Sequence, residues 1–140
     1  MNRVRCVIDT NVFISAALKP GGFVNALFAA VLEDGTLLIS DALLEEYRTR
    51  LARPKFDPYL TEAERRQIVN LVEHRGAKVS VQTDVDDSLD PDDNAILALA
   101  IDGRADVIVT GDKKHLLPLH PYRGIPVLTP RDVAKQFLPL

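Results

Sequence analysis

The chain has one cysteine, and it has no excess of positive charge. Its 140 residues include 17 Lys or Arg and 20 Asp or Glu, which gives a formal net charge of −3. Cys6 has no partner for a disulfide within the chain, which is typical of proteins of the reducing cytosol. The acidic balance excludes a basic nucleic-acid-binding tail, so we expect any contact with a polyanion to be local or to depend on bound cations.

Long apolar runs are also missing. We find no long uncharged apolar span and no charged leader followed by an apolar stretch, so the sequence supports neither membrane insertion nor secretion and predicts a cytoplasmic protein. The chain has no repeat and no low-complexity segment. With 46% hydrophobic residues, it is long enough for one domain with a core and too short for two comfortable ones. We therefore predict a single domain over residues 1–140.

Short apolar runs alternate with helical patterns along the chain. The runs predict five strands, at residues 4–8, 36–39, 77–81, 107–110 and 125–128. Apolar residues at helical spacing, bounded by capping and breaking residues, predict helices at residues 12–18, 23–33, 41–52, 61–75, 91–102 and 129–137. Strands that alternate with helices in this way predict an α/β sandwich around a mainly parallel sheet.

Two of the predicted strands end in polar residues that include an aspartate. The first strand runs into Asp9, Thr10 and Asn11, and the strand at 107–109 runs into Thr110 and Asp112. In an open parallel sheet, ligands bind at the carboxyl ends of the strands, because the loops diverge there. The alternative is that Asp9 or Asn11 merely caps the helix that follows. Two such strand ends in one small chain favour a shared site.

The helix that begins at Pro91 carries a carboxylate on its apolar side. Ile96, Leu97 and Ala100 define that side, and Asp93 falls in the middle of it. Asp90 and Asp92 are explained as the helix cap and as a first-turn acid that suits the helix dipole. A carboxylate on a buried face needs a cation or hydrogen-bond donors, so we interpret Asp93 as a site residue rather than a satisfied core aspartate.

The helix at 41–52 offers a second acid, and two adjacent glutamates compete for that role. Glu46 flanks the apolar stripe, whereas Glu45 lies nearly opposite to it. Glu46 is therefore the better candidate to reach a cleft. The alternative is an ordinary surface ion pair between Glu46 and Arg50, which are four residues apart.

A site of Asp9, Glu46, Asp93 and Asp112 would consist of oxygen ligands and would be strongly negative. Each pair of like charges ~4 Å apart costs on the order of 4 kcal/mol at an effective dielectric of 20. Hard oxygen ligands without His or Cys select Mg²⁺ or Mn²⁺ rather than zinc. Such ions bind phosphate oxygens and acidify a water that attacks phosphorus, so the chemistry indicated is phosphodiester hydrolysis.

Four motifs in this order resemble the PIN-domain ribonucleases, in particular the VapC-like toxins of bacterial toxin–antitoxin pairs. The motifs are Val7-Ile8-Asp9-Thr10-Asn11-Val12 with Ser15, Leu43-Leu44-Glu45-Glu46-Tyr47, Asp90-Pro91-Asp92-Asp93-Asn94, and Val109-Thr110-Gly111-Asp112. They extend over nearly the whole chain.

The resemblance implies a PIN-like three-layer α/β/α sandwich around a mainly parallel sheet. It implies that Asp9, Glu46, Asp93 and Asp112 are catalytic, metal-binding acids for Mg²⁺ or Mn²⁺. Polar support would come from four further residues, Asn11, Ser15, Asn94 and Thr110. The resemblance also implies an RNA substrate, a homodimer and neutralisation by a small antitoxin protein.

Basic residues beside such a site are candidates to hold the RNA backbone without reading its sequence. The candidates are Arg48, Arg50, Arg53, Lys55, Lys113 and Lys114, although any one of them is more often a solvated surface charge. We predict that His74, His115 and His120 lie at the surface, and that only His115 is near enough to Asp112 to touch a substrate.

Three other interpretations of the acids compete with this one. The run from Asp84 to Asp93 fails as a calcium loop, because its glycine and final glutamate positions hold Leu89 and Ala95, so the outer acids Asp84, Asp86 and Asp87 are predicted to be solvated. A haloacid-dehalogenase-type phosphotransferase needs a second Asp where Asn11 stands. The main alternative is a catalytically silent PIN-like module that binds RNA or a protein.

Overall fold

The computed structural model describes residues 3–137 of the chain. Its strands are β1 (Arg5–Ile8), β2 (Thr36–Ile39), β3 (Ala77–Lys78), β4 (Val107–Val109) and β5 (Val127–Leu128). Its helices are α1 (Thr10–Leu18), α2 (Phe23–Asp34), α3 (Asp41–Leu51), α4 (Glu62–Arg75), α5 (Pro91–Asp102) and α6 (Pro130–Gln136), with short 3₁₀ turns at Pro54–Phe56 and Leu117–Leu119. The predicted α/β fold is confirmed.

The first strand lies in the middle of the sheet. The five strands have the order β3-β2-β1-β4-β5, and every pairing is parallel. The chain builds outward from β1 on one side and then returns to add β4 and β5 on the other, so the order reverses between β1 and β4. At such a reversal the loops diverge and leave a crevice at the carboxyl ends of the strands.

Helices cover both faces of the sheet, because successive residues of the central strands point to opposite faces and none of those in β1 and β4 is exposed. Cys6, Val7 and Ile8 of β1 all have 0% exposure, and so do the three residues of β4. Phe13 of α1 stacks on Tyr47 of α3 with ring centroids 4.1 Å apart. The Tyr47 hydroxyl donates to the Ile8 carbonyl, which fixes α3 against the carboxyl end of β1.

The third strand is shorter than the predicted run at 77–81. The ladder ends soon after Lys78, with Val79 N–H donating to the Ile39 carbonyl at 2.8 Å. The backbone N–H groups of Gln82 and Thr83 then donate to the Asp102 carboxylate, at 2.6 and 2.9 Å, instead of to a neighbouring strand. A side-chain acceptor on α5 therefore draws the chain away from the sheet edge.

Capping residues place the helix starts close to their predicted positions. Thr61 and Glu64 form the predicted capping box, and Ser40 caps α3. The first helix starts at Thr10, two residues before the predicted Val12, because helical geometry follows directly from Asp9. No single helix in residues 3–137 is long and apolar enough to cross a membrane; α1 and α2 meet that criterion only as a pair, by length and composition, and are bent by 110°.

Candidate active site

Asp9 and Thr110 lie side by side at the carboxyl ends of β1 and β4. The register pairs Ile8 with Val109, so the next residue of each strand emerges at the same point. The Thr110 hydroxyl donates to Oδ2 of Asp9 at 2.8 Å and accepts the backbone N–H of Asp112 at 3.0 Å. Asp9 occupies the N-cap position of α1, but its side chain makes no capping hydrogen bond, so Asp9 is not a side-chain cap of this helix.

The turn after β4 holds Asp112 in place. Its Oδ1 accepts the backbone N–H groups of Lys114 at 2.9 Å and of His115 at 3.1 Å. Burial raises the pKa of Asp9 above its ordinary value, and the Asp112 charge adds to this increase. The two strand-end acids therefore share one electrostatic environment, as the sequence predicts.

Asp93 is buried in the first turn of α5, with 6% of its surface exposed. Its Oδ2 accepts the Ser88 hydroxyl at 3.3 Å. Burial raises its pKa to about 6, and the charges of Asp90, Asp9 and Asp112 contribute to the increase. The same side of α5 that packs on the sheet therefore presents this carboxylate to the strand-end acids.

Asn94 supports the loop that precedes α5. It accepts the Ser88 N–H on Oδ1 at 2.8 Å and donates from Nδ2 to the Ser88 carbonyl at 2.9 Å. Asp90 caps α5 as predicted, accepting the Asp92 N–H at 2.9 Å. The sequence does not single out Ser88, because a lone serine in an acidic loop carries no pattern that distinguishes it.

Glu46 and Glu45 point in different directions from α3. The Glu46 side chain is 16% exposed, whereas that of Glu45 is 62% exposed and pairs with Arg48 at 2.6 Å. Burial raises the pKa of Glu46, and the charges of Asp92 and Asp9 add to the increase. Of the two glutamates, the structure therefore brings Glu46 toward the other acids.

Residues 5–114, which include all four acids, match a protein-family model described as a PIN domain. The chain belongs to the PIN domain family. PIN domains are generally nucleases, and they generally use divalent metal ions.

Two proteins are similar to this PIN domain over most of its length. Uncharacterized protein MJ1680 of Methanocaldococcus jannaschii is 30% identical over 113 residues, which is 79% of this chain and 72% of that protein. A chain in the crystal structure of VapBC2 from Rickettsia felis, bound to a DNA fragment from their promoter, superposes with a TM-score of 0.62. That match covers 90% of this chain and 98% of the other at 12% identity, so it shows a shared fold.

The acids of this PIN domain fit a partly hydrated divalent ion rather than a closed protein cage. Within residues 3–137, no group of three or more His, Cys, Asp or Glu side chains is arranged to hold a metal ion by itself. Mg²⁺ keeps several waters and is usually held by one or two carboxylates together with substrate phosphates, so an open set of oxygen donors suits it. Burial is the main cause of the raised pKa values of Asp9, Glu46 and Asp93, and neighbouring acids add to each increase, so a cation bound there would stabilise the ionised carboxylates.

Thr10 adds an unsatisfied polar atom beside the acids. The residue is 1% exposed, and its hydroxyl oxygen has no partner with hydrogen-bond geometry among residues 3–137, although it lies close enough to Glu46 to lower the pKa of that carboxyl. A buried polar group without a partner is costly, so this hydroxyl is placed to accept or donate once a ligand or water enters. In the sequence Thr10 stands between two candidate residues, but nothing marks it as more than a helix-start residue.

The remaining polar candidates lie on the open side of the site. Asn11 and Ser15 are exposed and line a depression of about 300 Å³ that Gly111 and Asp112 also border. Arg50 reaches the site, with Nη1 donating to Oδ1 of Asn11 at 3.4 Å.

The other basic candidates remain at the surface. Arg53, Lys113 and Lys114 are exposed and make no ion pair with any acid in the part of the chain that the structure describes. His74, His115 and His120 are also exposed, as predicted, although Nδ1 of His120 accepts the Val127 N–H at 2.9 Å.

One acid of the loop before α5 has partners that the sequence does not reveal. Asp87 is exposed, as predicted, but its Oδ2 also accepts the Tyr122 hydroxyl and lies 3.4 Å from Nη2 of Arg123. This contact joins the loop before α5 to the segment between β4 and β5. Its partners come from a segment 35 residues away, which no local pattern indicates.

Proposed function

We propose that this PIN domain is a metal-dependent ribonuclease that hydrolyses RNA phosphodiester bonds, with Mg²⁺ or Mn²⁺ as its cofactor. The observation that carries the proposal is the grouping of buried and half-buried acids at one edge of a parallel sheet. Asp9, Glu46 and Asp93 come from three different elements, and the charge of Asp9 raises the pKa of each of the other two. Such a set is stabilised by a divalent cation.

Asp9, Glu46, Asp93 and Asp112 would hold the ion. When bound, it supplies Lewis acidity toward a phosphate oxygen and a more acidic water. Thr110 donates a hydrogen bond to Asp9, and Ser88 donates one to Asp93, so two of these acids would be oriented by neighbouring hydroxyl groups. Asn94 acts indirectly, since it holds the backbone of Ser88.

The substrate would lie along the open side of the site. The depression bordered by Asn11, Ser15 and Asp112 provides room beside the acids for a nucleotide next to the scissile phosphate. Arg50, Arg53, Lys113 and Lys114 would contact backbone phosphates, a form of binding that carries no sequence information. The overall charge of −3 fits this arrangement, because attraction to RNA then depends on the ion and these local cations.

We further propose that the protein is the toxin component of a toxin–antitoxin pair, acting in the cytoplasm as a homodimer of single-domain chains over residues 1–140. The fold shared with a chain of the VapBC2 complex supports this assignment. The partner would be a small antitoxin protein that blocks the acid site. The alternative, a catalytically silent module that binds RNA or protein, has no need for four acids and predicts neither metal binding nor cleavage.

The decisive experiment incubates purified protein with labelled RNAs and, in parallel, with single- and double-stranded DNA, in Mn²⁺, Mg²⁺ or EDTA. Matched samples carry Asp9→Asn with Asp112→Asn, or the control Asp84→Asn, which changes an exposed acid of the loop before α5. We expect cleavage of RNA that is lost in EDTA and in the double variant and kept in the control.

Three other outcomes contradict parts of the proposal. Cleavage that survives in the double variant would place the chemistry elsewhere or in a contaminant, and cleavage of DNA alone would correct the substrate. Absence of cleavage together with no metal-induced rise in melting temperature would favour the silent module.

A further inference from the structure

Arg50 lies among acids from different elements of the fold. Its Nη2 is 3.6 Å from Oε1 of Glu46 on α3 and 3.7 Å from Oδ2 of Asp92 on α5. Its Nη1 is 3.4 Å from Oδ1 of Asn11 on α1. Among residues 3–137, it is the only basic side chain whose ion pairs join two of the elements that carry the four site acids.

These contacts differ from an ordinary helical ion pair. Glu62 and Arg66 on α4 have the same spacing, but their side chains are 84% and 66% exposed, and within the described part of the chain each forms an ion pair only with the other. The Arg50 and Glu46 side chains are 27% and 16% exposed, so water screens their charges less.

The distances around Arg50 indicate that its guanidinium is near several polar groups but forms no short ion pair with any of them. Strong charge-assisted pairs of Arg with a carboxylate are short, about 2.7–2.9 Å, and often bidentate. All three Arg50 contacts are longer than that and go to three different groups. The guanidinium is therefore attracted by the combined negative charge and not fixed to one carboxylate.

Electrostatics point in the same direction. The Arg50 guanidinium lies 3.6 Å from a carboxylate oxygen of Glu46 and 3.7 Å from one of Asp92, so its positive charge offsets part of their negative charge. In the absence of an ion, this guanidinium is thus a positive charge that stabilises the ionised acids.

We infer that Arg50 is an internal counter-cation of the acid site, which competes with the divalent ion for the acids and turns to an RNA backbone phosphate once the ion is bound. The inference rests on the proposed function and adds a regulation of the same site. It explains how several acids remain close together in the metal-free protein. It also predicts that removing the Arg50 charge strengthens the binding of the divalent ion and weakens the binding of RNA.

The test measures Mn²⁺ binding by calorimetry and RNA binding by fluorescence anisotropy. Arg50→Gln and Arg50→Met remove the charge, Arg50→Lys keeps it, and Arg66→Gln is the matched control on α4. RNA binding is measured in EDTA and in Ca²⁺, with the integrity of the RNA checked on a gel. Melting temperature in EDTA shows which variants are folded, and the second neutral variant serves if the first is not.

We expect Arg50→Gln to bind Mn²⁺ about 2- to 5-fold more tightly than wild type, the range for one partly exposed ion pair. The Mn²⁺ affinity of Arg50→Lys should be close to that of wild type, and the Mn²⁺ affinity of Arg66→Gln should equal it. RNA binding by Arg50→Gln should weaken in Ca²⁺ and stay unchanged in EDTA, because Arg50 is engaged by the acids when no ion is present.

Two results overturn the inference, and they are distinguishable from each other. If wild type binds Mn²⁺ and the neutral variants bind it equally or more weakly, Arg50 is not a competing cation, while the proposed nuclease function stands. If wild type itself binds no Mn²⁺, the proposed function fails, and the inference fails with it.

Discussion

Asp9 and Thr110 are 101 positions apart in sequence, yet the hydroxyl of Thr110 donates a 2.8 Å hydrogen bond to the carboxylate of Asp9. The bond joins the carboxyl ends of β1 and β4, the two adjacent strands between which the strand order reverses. The same hydroxyl accepts the backbone N–H of Asp112. One side chain thus sets the relative positions of two of the acids.

Thr110→Val should therefore damage both stability and activity. Valine has nearly the same shape but leaves a buried carboxylate oxygen and the Asp112 N–H without their partner, which costs about 1–3 kcal/mol. We expect cleavage of RNA to fall roughly 10- to 100-fold, as for other groups that orient metal ligands. Urea unfolding and initial rates measure the two effects. Thr110→Ser keeps the hydroxyl, and a serine variant as impaired as valine would show that the methyl group matters instead.

Glu46→Gln should reduce cleavage and weaken Mn²⁺ binding, because it removes one charged oxygen ligand while keeping the shape of the side chain. Glu45→Gln is the matched control: its residue is adjacent, but its side chain is exposed and pairs with Arg48. We expect at least a tenfold loss of activity for Glu46→Gln, which is ~1.4 kcal/mol of transition-state stabilisation. The opposite ranking of the two variants would make Glu45 the site acid.

Asp93 should make the stability of the metal-free protein depend on pH. Its folded-state pKa of about 6 lies above the ordinary value of 3.8, so the folded protein holds this proton more tightly than the unfolded chain. The stability from the protonated group is fully present below about pH 4 and is lost as the pH rises through about 6.

Asp93→Asn removes this dependence. In EDTA, the variant should melt at a higher temperature than wild type at about pH 8, and the difference should shrink toward about pH 4. Excess Mn²⁺ at the higher pH should reverse the order, since only the aspartate supplies a charged ligand. A difference between the two melting temperatures that does not change with pH would show that the pKa of Asp93 is not raised.

Lys113→Gln with Lys114→Gln should weaken RNA binding to a similar extent for RNAs of different sequence, because phosphate contacts carry no base information. For each phosphate that the variant no longer neutralises, the slope of log affinity against log salt concentration should become shallower by about 0.7. The control replaces Lys19 and Lys135, two exposed lysines outside the site. An effect equal to that of the control would show that only overall charge matters.

Local features of the fold follow from the sequence because their causes lie within a few residues. The capping box of Thr61 and Glu64 and the cap at Asp90 set helix starts through hydrogen bonds between residues two or three positions apart. The angular position of Asp93 on the apolar side of α5 also follows from helix geometry alone. The same argument places Glu46 nearer than Glu45 to the core.

Contacts between distant segments were decided by tertiary structure. Strand order and register bring Thr110 to Asp9, and the packing of α3 near α5 brings Arg50 to Asp92. Asp102 accepts the backbone N–H of Gln82, just past the end of β3, and Asp87 accepts the hydroxyl of Tyr122, which is 35 positions away in sequence. The sequence by itself determined which residues were candidates for the site. Only the folded chain decided which charges face one another, because electrostatic interactions depend on distance and burial rather than on position along the chain.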